Sequence, residues 1–293
     1  MILAMFFINT FVVGVAVSIY SLITQSTEIS TTYSMIVSSL SVAFTGLPFM
    51  LLTLSKIKCD KPVKTKISIK KLLLFFTMAF AAMYGGVIIG RVVDAIIGGF
   101  LGASSDALVS GTLEGVPLWI IIIFTCVFPG IFEELIFRKL IIDKTREFGL
   151  YASVLFSGFT FGIFHGNFEQ FFYALLVGTL FAYIYAKSGK IIYTIILHIA
   201  LNFFGSAFLL IIEDITILYV LYSRLILLLL IGGIIAIVFE FKNNYQKLAK
   251  DKGIQLLGST NAVLTMTLNP GMITFLAVFA YFFASMTLSL FGG

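Results

Sequence analysis

Long uncharged apolar runs constrain this chain more than any other feature. They fall at about 3–24, 33–55, 72–99, 116–138, 150–165, 170–186, 191–212, 217–240 and 262–290. A helix needs about 20 predominantly apolar residues to cross a bilayer, so these runs predict membrane-spanning helices, with the fifth on the short side. Composition points the same way. Hydrophobic residues make up 60% of the chain and charged residues 11%, and the mean hydropathy is +1.09. A water-soluble domain carries about 25% charged residues, and no single globular core could bury this much apolar surface. Disorder is excluded on the same ground. The expected fold is therefore all-α, a polytopic transmembrane helical bundle of about eight to nine spans, with 1–293 as a single integral membrane domain. The first run lacks a basic leader and a small-residue cleavage site, so it reads as a retained helix. Cys59 and Cys126 lie far apart in the sequence and suggest neither a disulfide framework nor a CxxC metal site.

Charges in the loops set the expected orientation. The loop at 56–71 carries Lys56, Lys58, Lys61, Lys64, Lys66, Lys70 and Lys71, whereas the following loop has Asp106 and Glu114. Lys139, Lys144 and Arg146 follow the fourth run, Lys187 and Lys190 the sixth, Glu213 and Asp214 the seventh, and Lys242, Lys247, Lys250 and Lys252 the eighth. Basic and acidic loops alternate. The positive-inside rule puts the basic ones, and with them the N-terminus, in the cytoplasm of a multi-pass protein of the cell membrane. The net charge of +5 then marks topology and contact with membrane lipids rather than nucleic acid.

Ionisable groups inside apolar runs are costly, roughly 2.5–3.5 kcal/mol each at a helix centre, and each needs a reason. Arg91 and Asp94 stand three apart on one helix face and can neutralise each other. Arg224 can snorkel from the start of its helix. The stretch from Phe128 to Arg138 is different. Pro129 and Gly130 loosen the helix just before two adjacent carboxylates. Glu134 and Arg138, four apart, suit an ion pair, and Glu133 points about 100° away with no partner at that spacing. An unpaired buried carboxylate can serve as a general base. Phe161 and His165 share a face, with Gly166-Asn167 marking a helix end. His198 and Asn202 share another, offering an imidazole and a carboxamide to an oxyanion. Together these groups amount to most of what water-mediated amide hydrolysis requires.

Read as Glu133-Glu134-xxx-Arg138, Phe161-xxx-His165 and His198-xxx-Asn202, the three motifs resemble those of the CPBP family, the CAAX-protease and bacteriocin-processing intramembrane peptidases. The resemblance covers about 115–205, which would be the catalytic core, and departs from many members in having Lys139 after the motif arginine. It implies a helical membrane hydrolase whose polar cavity opens toward the cytoplasm. Carried onto this chain, Glu133 with His165 would activate water, and His198 with Asn202 would hold the oxyanion. Glu134, Arg138 and Phe161 would support them. No cofactor is required on that reading. A zinc-dependent alternative would use Glu133, His165 and His198 as ligands around an open fourth position. The substrate would be a prenylated CAAX-type protein tail or a bacterial peptide precursor, as in bacteriocin processing. Two rivals are a non-enzymatic bacteriocin-immunity or scaffold protein on the same fold, and a proton-coupled transporter. The complete motif set weighs against the first, and the lack of repeated halves against the second. One difficulty is depth. With straight spanning helices, His165 lies near the opposite face from Glu133. The fourth helix must therefore continue past Arg138, or the segment around 150–170 must be tilted or re-entrant.

Overall fold

A computed structural model describes residues 2–57, 59, 62–101, 113, 115–250, 266 and 268–291. Lys58, Lys61, Asp106, Glu114 and Lys252 lie outside the described residues. Among the described residues every regular element is a helix, with no strand. Nine helices carry it: α1 (Ile2–Thr24), α2 (Thr31–Leu54), α3 (Ile69–Leu101), α4 (Leu118–Phe148), α5 (Leu150–Phe164), α6 (Phe168–Ser188), α7 (Ile191–Ile212), α8 (Thr216–Lys250) and α9 (Pro270–Phe291). Seven are long and apolar enough to cross a membrane, and α5 and α9 are shorter apolar helices. The chain is thus a polytopic helical bundle, as its hydropathy predicts.

The depth difficulty resolves in α4. Its 31 residues make it about 46 Å long at ~1.5 Å per residue, well over the ~30 Å of a hydrocarbon core. It runs on past Arg138 to Phe148, and α5 turns back beside it. Gly149 makes that turn at φ +102, a conformation that side chains disfavour. Ser153 closes the turn by donating its hydroxyl to the carbonyls of Thr145 (2.7 Å) and Gly149 (2.9 Å). Glu133 and His165 are each sixteen residues from Gly149 along the two arms, so the hairpin returns them to one level. At the other end of α5, the side chain of Asn167 caps α6 by accepting from the Gln170 N–H at 2.8 Å. That is the helix boundary expected from Gly166-Asn167.

Helix α6 packs between α5 and α3, and α8 lies against α3. The largest buried cluster joins Phe75, Met78 and Phe80 of α3 to Phe181 and Tyr185 of α6 and to Leu197 and Leu201 of α7. A second cluster gathers Met5, Met50, Ile136, Phe137 and Phe161 around the other side of α4. The polar groups of the motifs sit between these two masses. Cys59 and Cys126 are both free thiols.

Candidate active site

Two π-helical turns interrupt α4: Ile122–Val127 precedes the motif, and Glu134–Leu140 contains all of it but Glu133. Such turns carry one extra residue and leave backbone carbonyls without their usual partners, often at functional sites. Pro129 deepens this effect because it has no N–H to give to the carbonyls four and five residues before it. Those carbonyls belong to Thr125 and Phe124, and side chains from other helices take them up. Asn202 of α7 donates its amide to Thr125 O (3.0 Å), and Ser39 of α2 donates its hydroxyl to Phe124 O (3.0 Å). In the second π-turn, the carbonyl of Phe137 accepts from Ser157 Oγ of α5 at 2.7 Å. Each irregularity in α4 is therefore a docking point for a neighbouring helix.

Gly130 lets α7 approach closely. A Cβ at this position would stand 2.5 Å from Ile199 Cγ1 and 3.1 Å from the Ile199 nitrogen. The contact sets His198, one residue before Ile199, against the two carboxylates. His198 Nδ1–H donates to Glu134 Oε1 at 2.9 Å, and its Nε2 faces Glu133 Oε2 at 3.8 Å. The imidazole is thus fixed by one glutamate and turned toward the other. Arg138 Nη2 lies 3.2 Å from the same Glu134 oxygen, and both side chains are fully buried. The guanidinium stacks on the Phe161 ring at 4.2 Å and lies 5.7 Å from Phe181. Phe161 is the common wall. Its ring meets His165 edge-on at 4.8 Å and His198 at 6.0 Å.

His165 Nδ1–H donates to the Phe161 carbonyl at 2.8 Å, which leaves Nε2 as the lone-pair nitrogen of the neutral ring. Glu133 lies close enough to interact with His165 electrostatically. Glu133, His165 and Asn202 are partly exposed, whereas Glu134, Arg138, Phe161 and His198 are buried. The site therefore has a reachable layer over a sealed one. Glu134 Oε2 and three nitrogens of Arg138 are buried and make no hydrogen bond in the structure.

The structure brings together Glu133, Glu134, Arg138, Phe161, His165 and His198. Asn202 is one turn from His198 but is tied to Thr125, leaving its second N–H for another acceptor. Three features were not read from the sequence: the Glu134–His198 bond, Phe181 against the imidazole at 5.6 Å, and the Thr125–Asn202 bond. Pro129 held the signal for the last of these, since its missing N–H orphans carbonyls at a fixed offset. For zinc, His198 Nδ1 is already engaged by Glu134. Among the described residues no group of three His, Cys, Asp or Glu side chains is placed to hold a metal ion. A carboxylate on Nδ1 would leave His198 Nε2 for a metal, as in carboxylate–histidine–zinc arrangements.

An apolar cavity of about 600 Å³ lies between Phe159 and Ile163 of α5, Phe168 and Phe171 of α6, and Leu276, Phe279 and Phe283 of α9.

Residues 115–204 match the family model of type II CAAX prenyl endopeptidases, Rce1-like. This segment is similar to the CAAX-protease family. The matched segment runs from just before α4 into α7, and so includes every residue of the site. The chain is also similar to YdiL of Bacillus subtilis (strain 168), a protein whose name proposes a membrane peptidase. The two are 30% identical over 131 residues, which is 43% of this chain and 51% of that relative. The chain thus matches about half the length of the curated relative. No solved structure matches it significantly.

Proposed function

We propose that the protein is an intramembrane endopeptidase that hydrolyses a peptide bond with water activated by Glu133 and His165. The observation that carries this reading is the meeting of His198 with both glutamates across 64 residues of sequence, with the Glu133 carboxylate partly exposed. Glu133 takes the proton of a water molecule lying beside His165 Nε2. The hydroxide attacks the scissile carbonyl, and the tetrahedral oxyanion accepts from the second N–H of Asn202 and from Nε2–H of a His198 that carries a proton on both ring nitrogens. Glu134, accepting from Nδ1–H, orients that ring. Arg138 keeps Glu134 ionised within apolar surroundings. The proton then passes from Glu133 to the leaving amine.

The substrate on this reading is a membrane-associated peptide. The aromatic cavity between α5, α6 and α9 suits a prenyl group or a large apolar side chain, which favours a CAAX-type tail or a hydrophobic precursor peptide, the latter including bacteriocin leaders. The basic loops favour an N-terminus and a mouth of the site on the cytoplasmic side of the cell membrane.

The test is cleavage of farnesylated CAAX peptides and unprenylated leader peptides by purified protein, with and without chelator. Wild type and Glu133→Gln are assayed side by side. Cleavage is expected to survive chelator and to fall about 10³-fold in the variant. Loss in chelator with recovery on adding zinc would replace the carboxylate mechanism by a metal one. Full activity in Glu133→Gln would remove Glu133 as the base.

A further inference from the structure

A second cavity lies at the basic end of the bundle, apart from the site. It has a volume of about 400 Å³ and is lined by Lys64, Lys139 and Lys190 with Tyr185, Ile191 and Ile192. The three lysines come from separate stretches of chain: the connection before α3, the second π-turn of α4, and the turn between α6 and α7. Their convergence is built rather than incidental. The connection before α3 is strapped to the α6–α7 turn by Thr65 N–H to Ser188 O (2.8 Å), Thr65 Oγ to Lys187 O (3.1 Å) and Ile67 N–H to Tyr193 OH (3.2 Å).

The charge in this cavity is not balanced from within. Lys139 pairs with Asp143 and also donates to Tyr185 OH at 3.1 Å, while Tyr185 OH donates to Asp143 at 2.7 Å. That leaves one lysine neutralised. Among the described residues, no carboxylate forms an ion pair with Lys64 or Lys190. Three cations, one internal anion and a cavity of this size describe a receptor for a singly or doubly charged oxyanion group. The rim indicates what the anion is attached to. Ile192 and Ile196, one turn apart on α7, are 50% and 47% exposed and lead away from the cavity along an outward apolar face.

We propose that this cavity binds the phosphate of an anionic membrane lipid, with an acyl chain lying along Ile192 and Ile196. Lys64 and Lys190 hold the phosphate, and Lys139 contributes from its Asp143 pair. Lys139 directly follows Arg138, so the lipid would seat on the same π-turn that carries the Glu134–Arg138 ion pair. This site is independent of whether the protein is a peptidase.

Binding is measured on the full-length protein by native mass spectrometry and by thermal unfolding in nanodiscs of phosphatidylglycerol or phosphatidylcholine. Inorganic phosphate is titrated separately in detergent. Wild type should retain phosphatidylglycerol, should not retain phosphatidylcholine, and should unfold at a higher temperature with the former. Lys64→Gln with Lys190→Gln should weaken that retention roughly tenfold or more, since each lysine near an anionic surface is worth about 1 kcal/mol. Lys242→Gln, on the exposed face of α8, should leave it unchanged. Equal retention of both lipids by wild type would overturn the proposal. So would undiminished retention by the double variant, or stabilisation by free phosphate as large as that by the lipid. If the double variant misfolds, Lys64→Arg with Lys190→Arg must restore retention, and the wild-type comparison of the two lipids still decides.

Discussion

Two polar clusters sit among the apolar helices, and they differ in completeness. At the ends of α3, α6 and α8, Glu240 accepts from Tyr183 OH (2.7 Å) and Lys187 Nζ (3.0 Å) on one oxygen and from Lys71 Nζ (2.5 Å) on the other. Every face of that carboxylate is used. In the core of α4 and α7, Glu134 shares one oxygen between His198 and Arg138, while its other oxygen and three arginine nitrogens make no hydrogen bond. Buried polar groups are normally paired, and an unpaired one costs about 1–3 kcal/mol. The first cluster behaves as a clamp that joins helices. The second holds polar capacity in reserve, as a site does that must accommodate water and a substrate backbone.

Substitutions can break this contrast at its strongest point. Glu134→Gln leaves Arg138 buried without a counter-charge and releases His198. We expect unfolding free energy to fall by about 3–5 kcal/mol, and turnover in the remaining folded protein to fall about 10²-fold. Adding Arg138→Met should recover much of the stability measured by denaturant titration, but none of the turnover. Recovery of both would reduce Glu134 to a structural role.

Asn202→Ala should lower kcat by about 10²–10³ if its second N–H meets the oxyanion. The Thr125 bond supplies a separate, structural cost. Pro129→Ala gives the helix back an N–H for the Phe124 and Thr125 carbonyls. Stability lost in Asn202→Ala should then be regained in the double variant, while kcat stays low. A kcat that also returns would show that Asn202 serves only the helix.

Gly130→Ala pushes a methyl group into Ile199. Overpacking of this kind costs about 1–3 kcal/mol, and it should draw His198 away from Glu134. Turnover should drop, and Ile199→Ala should restore it. The smallest effect belongs to the completed cluster. Lys71 and Lys187 are 33% and 42% exposed and can turn to solvent, so Glu240→Gln should cost about 1 kcal/mol in thermal unfolding with cleavage unchanged.

Most of the architecture was legible because lipid leaves the chain few options. Uninterrupted apolar runs announce helices, and the described helices follow the runs within about three residues except where α4 and α8 run on about ten residues past theirs and α9 starts later. The motif residues were legible as charges that had no business in such runs. What could not be read was how they meet. Glu134 faces Arg138 at an obvious spacing, but its bond to His198 depends on how closely α7 crosses α4, which Gly130 permits and no periodicity reveals. The level shared by Glu133 and His165 was hidden for a different reason. An α4 that overshoots the bilayer looks, in hydropathy, like one that ends at its first charge. The cavity lined by α9 was equally invisible, because its aromatic residues are indistinguishable in sequence from those facing lipid.

The hairpin around Gly149 has a consequence for how such a protein can change. Glu133 and His165 are matched by counting residues outward from a common bend. One residue added or removed in either arm would rotate everything beyond it by about 100° and slide it by ~1.5 Å. Single insertions and deletions are therefore closed to both arms between position 133 and position 165. Length can vary at the bend itself, where Arg146–Phe148 form a short turn, only as far as the two arms keep their register. The tolerance of this stretch to change in length should be a sharper signature of the site than its tolerance to change in residue type.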